Sequence, residues 1–487
     1  MIERESRLRL GEYYARTLAR LSEAYASGRA REALGELREH WPHLRECLAW
    51  TGERMDDRDV REIFLSMCAA AELVSAGLGR RDQARWFHTW IDACRAEGDR
   101  RGEAEAHRFA GSVVREMDLA ASRRHYDTAL TIAREIGDRS AECSAESLLG
   151  IYFAARGETE EAVERMETAV TIARQRGDRA RECAILANIG TALRTTRPRT
   201  SLEYQQRAHD AAAASGHALV QANALMTSGS IHLMLGELRL AMDCLERSLR
   251  LYADLGDTHG EIVARNNLAE VLLALGLSAS GEAYVVRALA AAQASEHRRL
   301  EGALCCTLAH ALRSTLRPDA ALAAAARGRA IADETGDRCL GASADRELGA
   351  ATRYISGPDA ARPLLERALQ SAEARADQHE RARVLLYLGE VEASQAGDIP
   401  PPSLVRALEE ASEHGFRYLA CQARSLLARW HAAHGRATEA SRHGRHALVF
   451  LREVEHADLR DQILWLRGVR QRATREGSRG HTPGPLA

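Results

Sequence analysis

Residues 137–150 read GDRSAECSAESLLG, and residues 177–190 read GDRARECAILANIG. The two stretches share Gly, Asp, Arg, Glu, Cys and a closing Gly in register. Reading outward, the Gly-Asp pair recurs at Gly98-Asp99, Gly137-Asp138, Gly177-Asp178, Gly256-Asp257 and Gly336-Asp337. Degenerate copies stand at Gly216-His217, Glu296-His297, Ala376-Asp377 and Gly415-Phe416. A fixed spacing of about 40 residues is the mark of a repeat array. Glycine after a helix takes the left-handed conformation that closes it. The following Asp can accept from the free N–H groups of the next helix. The pair therefore stops one helix and caps another.

A second break lies inside each unit, in ARGETEEA at 155–162, LGELRLA at 235–241, LRPDAAL at 316–322, SGPDAAR at 356–362 and HGRATEA at 434–440. Each unit is thus two helices, here called helix A and helix B. In one unit the spacing predicts helix A near 138–155 and helix B near 159–176, each with apolar residues at intervals of 3–4.

The aligned columns assign the repeated residues. Thirteen residues beyond each Gly-Asp glycine or its equivalent stand Gly111, Gly150, Gly190, Gly229, Ala269, Ala309, Gly349, Gly389 and Ala428. Glycine inside a helix costs about 1 kcal/mol relative to Ala, so close approach of a neighbouring helix is expected there. Six residues on, the column reads Ala104, Cys143, Cys183, Ala222, Ile262, Gly302, Ala342, Ala382 and Cys421. Cysteine replaces alanine, so these thiols read as small core residues.

Composition agrees. Hydrophobic residues make up 45% of the 487, aromatics only 5%, and there are 36 Gly against 10 Pro. This is the composition of a helical protein. All 67 basic residues are Arg. Without Lys there is no ordinary P-loop and no Schiff-base chemistry. The chain is expected neither to bind nor to hydrolyse ATP, and titration with Mg-ATP should give no saturable heat. A net charge of −2 supplies no general field for nucleic acid. No apolar run is long enough to span a membrane. MIERESRLRLGEYY carries no export signal, and the ten Cys form no CxxC pair, so free thiols in a reducing cytoplasm are expected.

The pairing of Leu149-Gly150 and Leu388-Gly389 with an Ala early in helix B (Ala162, Ala241, Ala321, Ala361 and Ala440) resembles the tetratricopeptide repeat family. The usual unit there is about 34 residues; here it is longer. The longer form is similar to the C-terminal sensor region of bacterial signal-transducing ATPase regulators of the maltose-activator class, and to G-protein-modulator scaffolds. The segment 13–50 resembles the helical junction of those regulators through His40, Leu44, Arg45, Leu48 and Trp50. GLGRRDQARWFHTWI at 77–91 resembles their first repeat. The ATPase itself is missing, so the chain is either the sensor half of a larger protein or a free-standing relative.

The expected fold is all-α, a right-handed α-solenoid of about ten antiparallel helix pairs. Its expected parts are a junction over 1–56, the solenoid over 57–456, a capping helix over 457–476 carrying Ile463, Leu464 and Leu466, and a disordered tail over 477–487.

No catalytic motif emerges, and no cofactor is expected. His431, His434, His443 and His446 are paired at i, i+3 on two adjacent helices. They form a weak metal candidate against ordinary packing, because no carboxylate is placed among them. Arg115, Arg194, Arg313 and Arg353 stand four residues beyond the small-residue column, with Arg108 and Arg346 about two turns earlier on the same face. Glu270 and Glu390 interrupt this face. Arrayed guanidinium groups suit an acidic peptide; a solvated helix face is the plainer alternative. The leading expectation is a non-enzymatic protein or peptide recognition solenoid, a sensor or regulatory arm in bacterial signalling or transcription control, working with an ATPase or DNA-binding module in cis or in trans. A small-ligand inducer sensor and an oligomerisation scaffold are the alternatives.

Overall fold

The computed structural model describes residues 2–26, 30–68, 70, 80–115, 118–395 and 397–479. Among them lie twenty-three α-helices and no strand. The chain forms two compact units, residues 1–185 and 186–487, whose boundary falls inside the helix Arg179–Leu193. No helix among the described residues is long and apolar enough to cross a membrane.

The repeated unit of the sequence is a helix pair. Helix A at Arg139–Ala155 is followed by helix B at Thr159–Gln175. Gly137 and Gly177 both have φ +69°, and the same left-handed turn is held at Glu296 (φ 55°) and Ala376 (φ 51°), where no glycine stands. After the turn, Asp138 Oδ1 accepts from the N–H groups of Ser140 and Ala141. Asp99, Asp178, Asp257, Asp337 and Asp377 cap their helices in the same way.

The Arg and Glu of the repeated sentence also have partners. Glu142 accepts from Arg139 at 2.5 Å and from Arg134, on the preceding helix, at 3.2 Å. Glu182 stands between Arg179 (2.8 Å) and Arg174 (2.6 Å) in the same manner. Each carboxylate is buried between two half-exposed guanidinium groups. The sentence therefore encodes a stop, a cap, an ion-pair clamp and a helix crossing.

The crossing sits at the small-residue column. A Cβ built on Gly111 would lie 2.6 Å from Tyr126 Cε1, on Gly229 2.6 Å from Leu245 Cγ, and on Gly349 2.6 Å from Leu365 Cγ. On Gly150 it would meet the carbonyl oxygen of Ala162 at 2.9 Å. Ala162, Ala241, Ala321, Ala361 and Ala440 are all fully buried. The missing side chain on helix A thus leaves room for a large side chain of helix B, while the helix-B alanine lets the backbones approach. Cys143 and Cys183 are fully buried, Cys421 is nearly so, and Cys143 donates to the Ala169 carbonyl at 3.2 Å. Burial pushes the Cys421 thiol up to about 12, so it stays protonated and packs as a small apolar group.

In the unit of residues 186–487 the chain returns to meet itself. Ile231, Met234 and Leu235 pack with Phe416 and Leu419. Leu238 and Leu275 pack with Phe450 and Val454. The Ala457 N–H donates to the Leu275 carbonyl at 3.0 Å, and Arg239 pairs with Glu455 at 2.6 Å. Two turn glycines permit this approach. A Cβ on Gly236 would lie 2.8 Å from the Tyr418 amide nitrogen, and one on Gly276 would lie 2.7 Å from His456 Cε1.

The last helix is Leu459–Arg479. Leu466 is buried against Gly444 and Val469 is buried beside it, but Leu464 points to solvent. The expected capping face is therefore turned by part of a helical step: Leu466 lies on it, and Leu464 does not. The helix includes the first three residues of the expected tail; residues 480–487 lie outside the described residues.

Candidate functional site

The closure of residues 186–487 leaves a cavity of about 500 Å³. Its wall comes from helix A of successive repeats: Glu270 on Thr258–Ala274, His310 and Arg313 on Arg298–Ser314, and Arg383, Tyr387 and Glu390 on Gln378–Ala393. Tyr418 comes from Arg417–Ala433, and Asp458 from the segment that closes the ring. A second space of about 270 Å³ shares Glu270, His310 and Arg383.

Two of the column arginines border this cavity or its neighbour in paired form. Arg313 Nη2 donates to Tyr387 Oη at 2.6 Å, and its guanidinium lies over the Tyr387 ring, 4.8 Å from the centroid. Glu347 is 3.9 Å from the same guanidinium. Arg346 is 4% exposed; it pairs with Glu347 at 2.9 Å and with Glu380. Arg353 pairs with Glu390 at 2.8 Å and donates to Tyr354 Oη at 2.7 Å. Glu390, which interrupts the Arg face in sequence, thus meets an arginine of that face in space. The charges of Arg313, Arg346 and Arg353 are met within the protein.

Arg194 is exposed just beyond its helix. Arg108 and Arg115 belong to the unit of residues 1–185. Arg108 pairs with Glu105 at 3.3 Å and covers the Phe109 ring at 4.1 Å. It also lines a space of about 190 Å³ with Arg101, Asp138 and Arg181. Arg115 closes the helix Arg100–Val114 as its C-cap.

Burial sets the protonation of the cavity wall. It drives His310 down to about 3, assisted by the Arg313 charge, so this imidazole is neutral at pH 7. His379 is pushed down for the same reason, with Arg383 adding to it. Burial lifts the Tyr387 hydroxyl above its ordinary value, against the pull of Arg313. Burial also raises Glu347, but Arg346 and Arg313 outweigh it, and the carboxylate is held down at about 2. The wall therefore presents fixed guanidinium charges, neutral imidazoles and a protonated phenol.

The four C-terminal histidines are not gathered on one point. His431 and His443 stack, with ring centroids 5.5 Å apart. His434 stacks on Trp430 and its Nδ1–H donates to the Trp430 carbonyl at 2.8 Å. Arg424 donates to His446 Nδ1 at 3.0 Å. Among the described residues no group of three or more His, Cys, Asp or Glu is arranged to hold a metal ion.

Sequence reasoning named Glu270 and Glu390 only as interruptions and passed over Arg383 and Tyr387. Arg383 falls outside the recurring Arg positions, so no column marks it. Its signal is spatial: a cation on the cavity side of helix A.

Residues 92–175 match the family described as tetratricopeptide repeat. No curated protein sequence matches the chain. Among solved structures, the chain is similar to a Rap protein complexed with competence and sporulation factor (13% identity, TM-score 0.43, covering 91% of this chain and 99% of that one). It is similar to the apo form of the quorum sensor NprR from B. thuringiensis (12% identity, TM-score 0.47, covering 73% of this chain and 99% of that one). It is also similar to a signal transduction ATPase with numerous domains and a tetratricopeptide repeat sensor from Pyrococcus horikoshii (13% identity, TM-score 0.35), covering 83% of this chain and 55% of that one. The fold is an all-α solenoid of helix pairs that resembles the tetratricopeptide repeat family, with that resemblance carried in sequence by residues 92–175.

Proposed function

We propose that the chain is a non-enzymatic recognition solenoid, the sensor or regulatory arm of a bacterial signalling or transcription-control system, acting in the cytoplasm. Its solenoid portion is taken as residues 57–456, preceded by a helical junction over 1–56 and followed by a capping helix over 457–476. The reading assigns it a protein or peptide partner, with an ATPase or DNA-binding module in cis or in trans, and no direct contact with nucleic acid.

The observation that supports this reading most is the cavity ringed by helix A of successive repeats, about 500 Å³ in volume. That volume is within the range of ligand pockets, about 300–1,000 Å³. It suits a few residues of an extended peptide or a small molecule, and is too small for a folded domain. The second reading, a small-ligand inducer sensor, is favoured by the return of the chain at Leu275 and Ala457, beside which His456 and Asp458 add to the lining of the space.

Ser314 is exposed and lines the cavity, so Ser314→Trp should fill the space without disturbing the core. Wild type and variant are incubated with a low-molecular-mass cell extract, washed, denatured and analysed by mass spectrometry. Wild type is expected to retain at least one compound that the Trp variant does not. Equal retention by both folded proteins overturns the reading.

A further inference from the structure

The charges around the cavity do not pair off. Glu347 and Glu380 hold Arg346, and Glu347 also faces Arg313. Glu390 holds Arg353. Three carboxylates thus serve three guanidinium groups. Arg429 and Asp458 also line the space, but both are exposed to solvent. Arg383 is different; it is half-buried on the same helix as Glu380 and Glu390, and makes no hydrogen bond or ion pair with any described residue. Its charge bears on its surroundings, since it lowers His310, His379 and Tyr387, and helps to lower Glu347 without bonding to it. Glu270, on Thr258–Ala274, is likewise half-buried and makes no hydrogen bond or ion pair with any described residue. Both side chains line the 500 Å³ cavity and the adjoining 270 Å³ space.

We propose that this cavity binds an amino-acid-like zwitterion, a free amino acid or a short peptide with unblocked ends, its carboxylate on Arg383 and its ammonium on Glu270. A guanidinium cannot shed its charge at physiological pH. Holding it half-buried without a hydrogen-bonded counter-ion is unfavourable, and an incoming carboxylate relieves that cost through charge-assisted hydrogen bonds. Tyr387 Oη accepts from Arg313 and keeps its own proton to donate to the same anion. Glu270 discriminates against the simple alternatives: an acetate or phosphate ion placed here gains Arg383 but is repelled by the Glu270 carboxylate that lines the same space. A ligand carrying both charges satisfies both groups.

The proposal rests on the reading of the cavity as the ligand site, and its test is separable from that one. The full chain is titrated calorimetrically, with parallel melting curves, against the common amino acids and a dipeptide panel. Each compound is run beside its N-acetyl and carboxamide forms, and acetate and inorganic phosphate serve as anion-only probes. At least one free zwitterion is expected to bind, with both blocked forms at least tenfold weaker. Losing one charge-assisted hydrogen bond, about 1.5–3 kcal/mol, corresponds to that factor or more. Arg383→Met should bind the free acid no better than the carboxamide, while Glu270→Gln should bind the amine no better than its N-acetyl form. Neither variant should melt below wild type without ligand, because each removes a group that bonds to no described residue. Absence of binding by every zwitterion, equal binding of blocked forms, wild-type affinity in both variants, or equally tight binding of acetate or phosphate overturns the assignment. If Ser314→Trp still abolishes capture from the extract while the panel fails, the cavity stands as a site and only the zwitterion falls.

Discussion

Gly389→Leu is expected to destabilise the protein by about 3 kcal/mol, the upper end of the usual cost of overpacking a core. The new Cβ would lie 2.7 Å from both Leu404 Cδ2 and the Leu404 backbone nitrogen. A backbone atom cannot swing aside, so the whole helix pair must shift. Gly190→Leu provides the graded comparison. There the nearest atoms belong to Gln205, with Nε2 at 2.5 Å. That side chain is buried but has no backbone atom in the contact, so it can yield by changing rotamer within the core, at the loss of its hydrogen bond to the Ala187 carbonyl. The cost at Gly190 should be nearer 1 kcal/mol. Urea unfolding measures both. Equal midpoints for Gly389→Leu and wild type would remove the packing account of the small-residue column.

The second large effect belongs to Glu347, which is 1% exposed between Arg346 and Arg313. Removing one member of a buried charge group leaves the others uncompensated, at about 3–5 kcal/mol. Glu347→Gln should therefore lower stability by roughly that amount, and Arg346→Met in the same background should lower it further, because buried Glu380 then loses its guanidinium. The pH dependence has a definite sign. The folded carboxylate sits at about 2, below the ordinary 4.5 of its unfolded form. Its contribution is complete above about 4.5 and is lost as pH falls towards 2. His310 acts earlier: the unfolded imidazole takes up a proton below 6.5, which the folded one refuses until about 3, so stability already declines in that window. The Gln variant should keep the His310 decline and lose the extra fall below 4.5. A wild-type slope in the variant between pH 4.5 and 3 would exclude Glu347 as its source.

What could be read in the sequence was local and recurrent. The turn at Gly137, the cap at Asp138 and the crossing at Gly150 each depend on residues within about thirty positions, and repetition makes each visible as a column. The arginine column was legible as a pattern but not as an environment. Nothing in the spacing shows that Arg353 meets Glu390, or that Arg346 is buried between two carboxylates. Arg383 and Glu270 were beyond reach for the opposite reason. Arg383 has no counterpart in the other repeats, Glu270 recurs only as Glu390, and the importance of both lies in what they fail to touch. The return of the chain beside the cavity depends on Gly236 lying against Tyr418 and Gly276 against His456, pairs that no period relates.

The meeting of Leu275 with Ala457 also changes how this unit should come apart. In a linear array each repeat leans only on its neighbours, so the ends fray and the middle survives. Here the terminal segment braces a repeat nearly two hundred positions earlier. Removing residues 454–479 should loosen the turns at 235–239 and 275–277 as well as the cut end, and hydrogen exchange should quicken at both. Such distant pairings also slow folding, because a long loop must close before the contact is gained. The second half of the chain should therefore fold more slowly and melt more sharply than a linear stack of the same helix pairs.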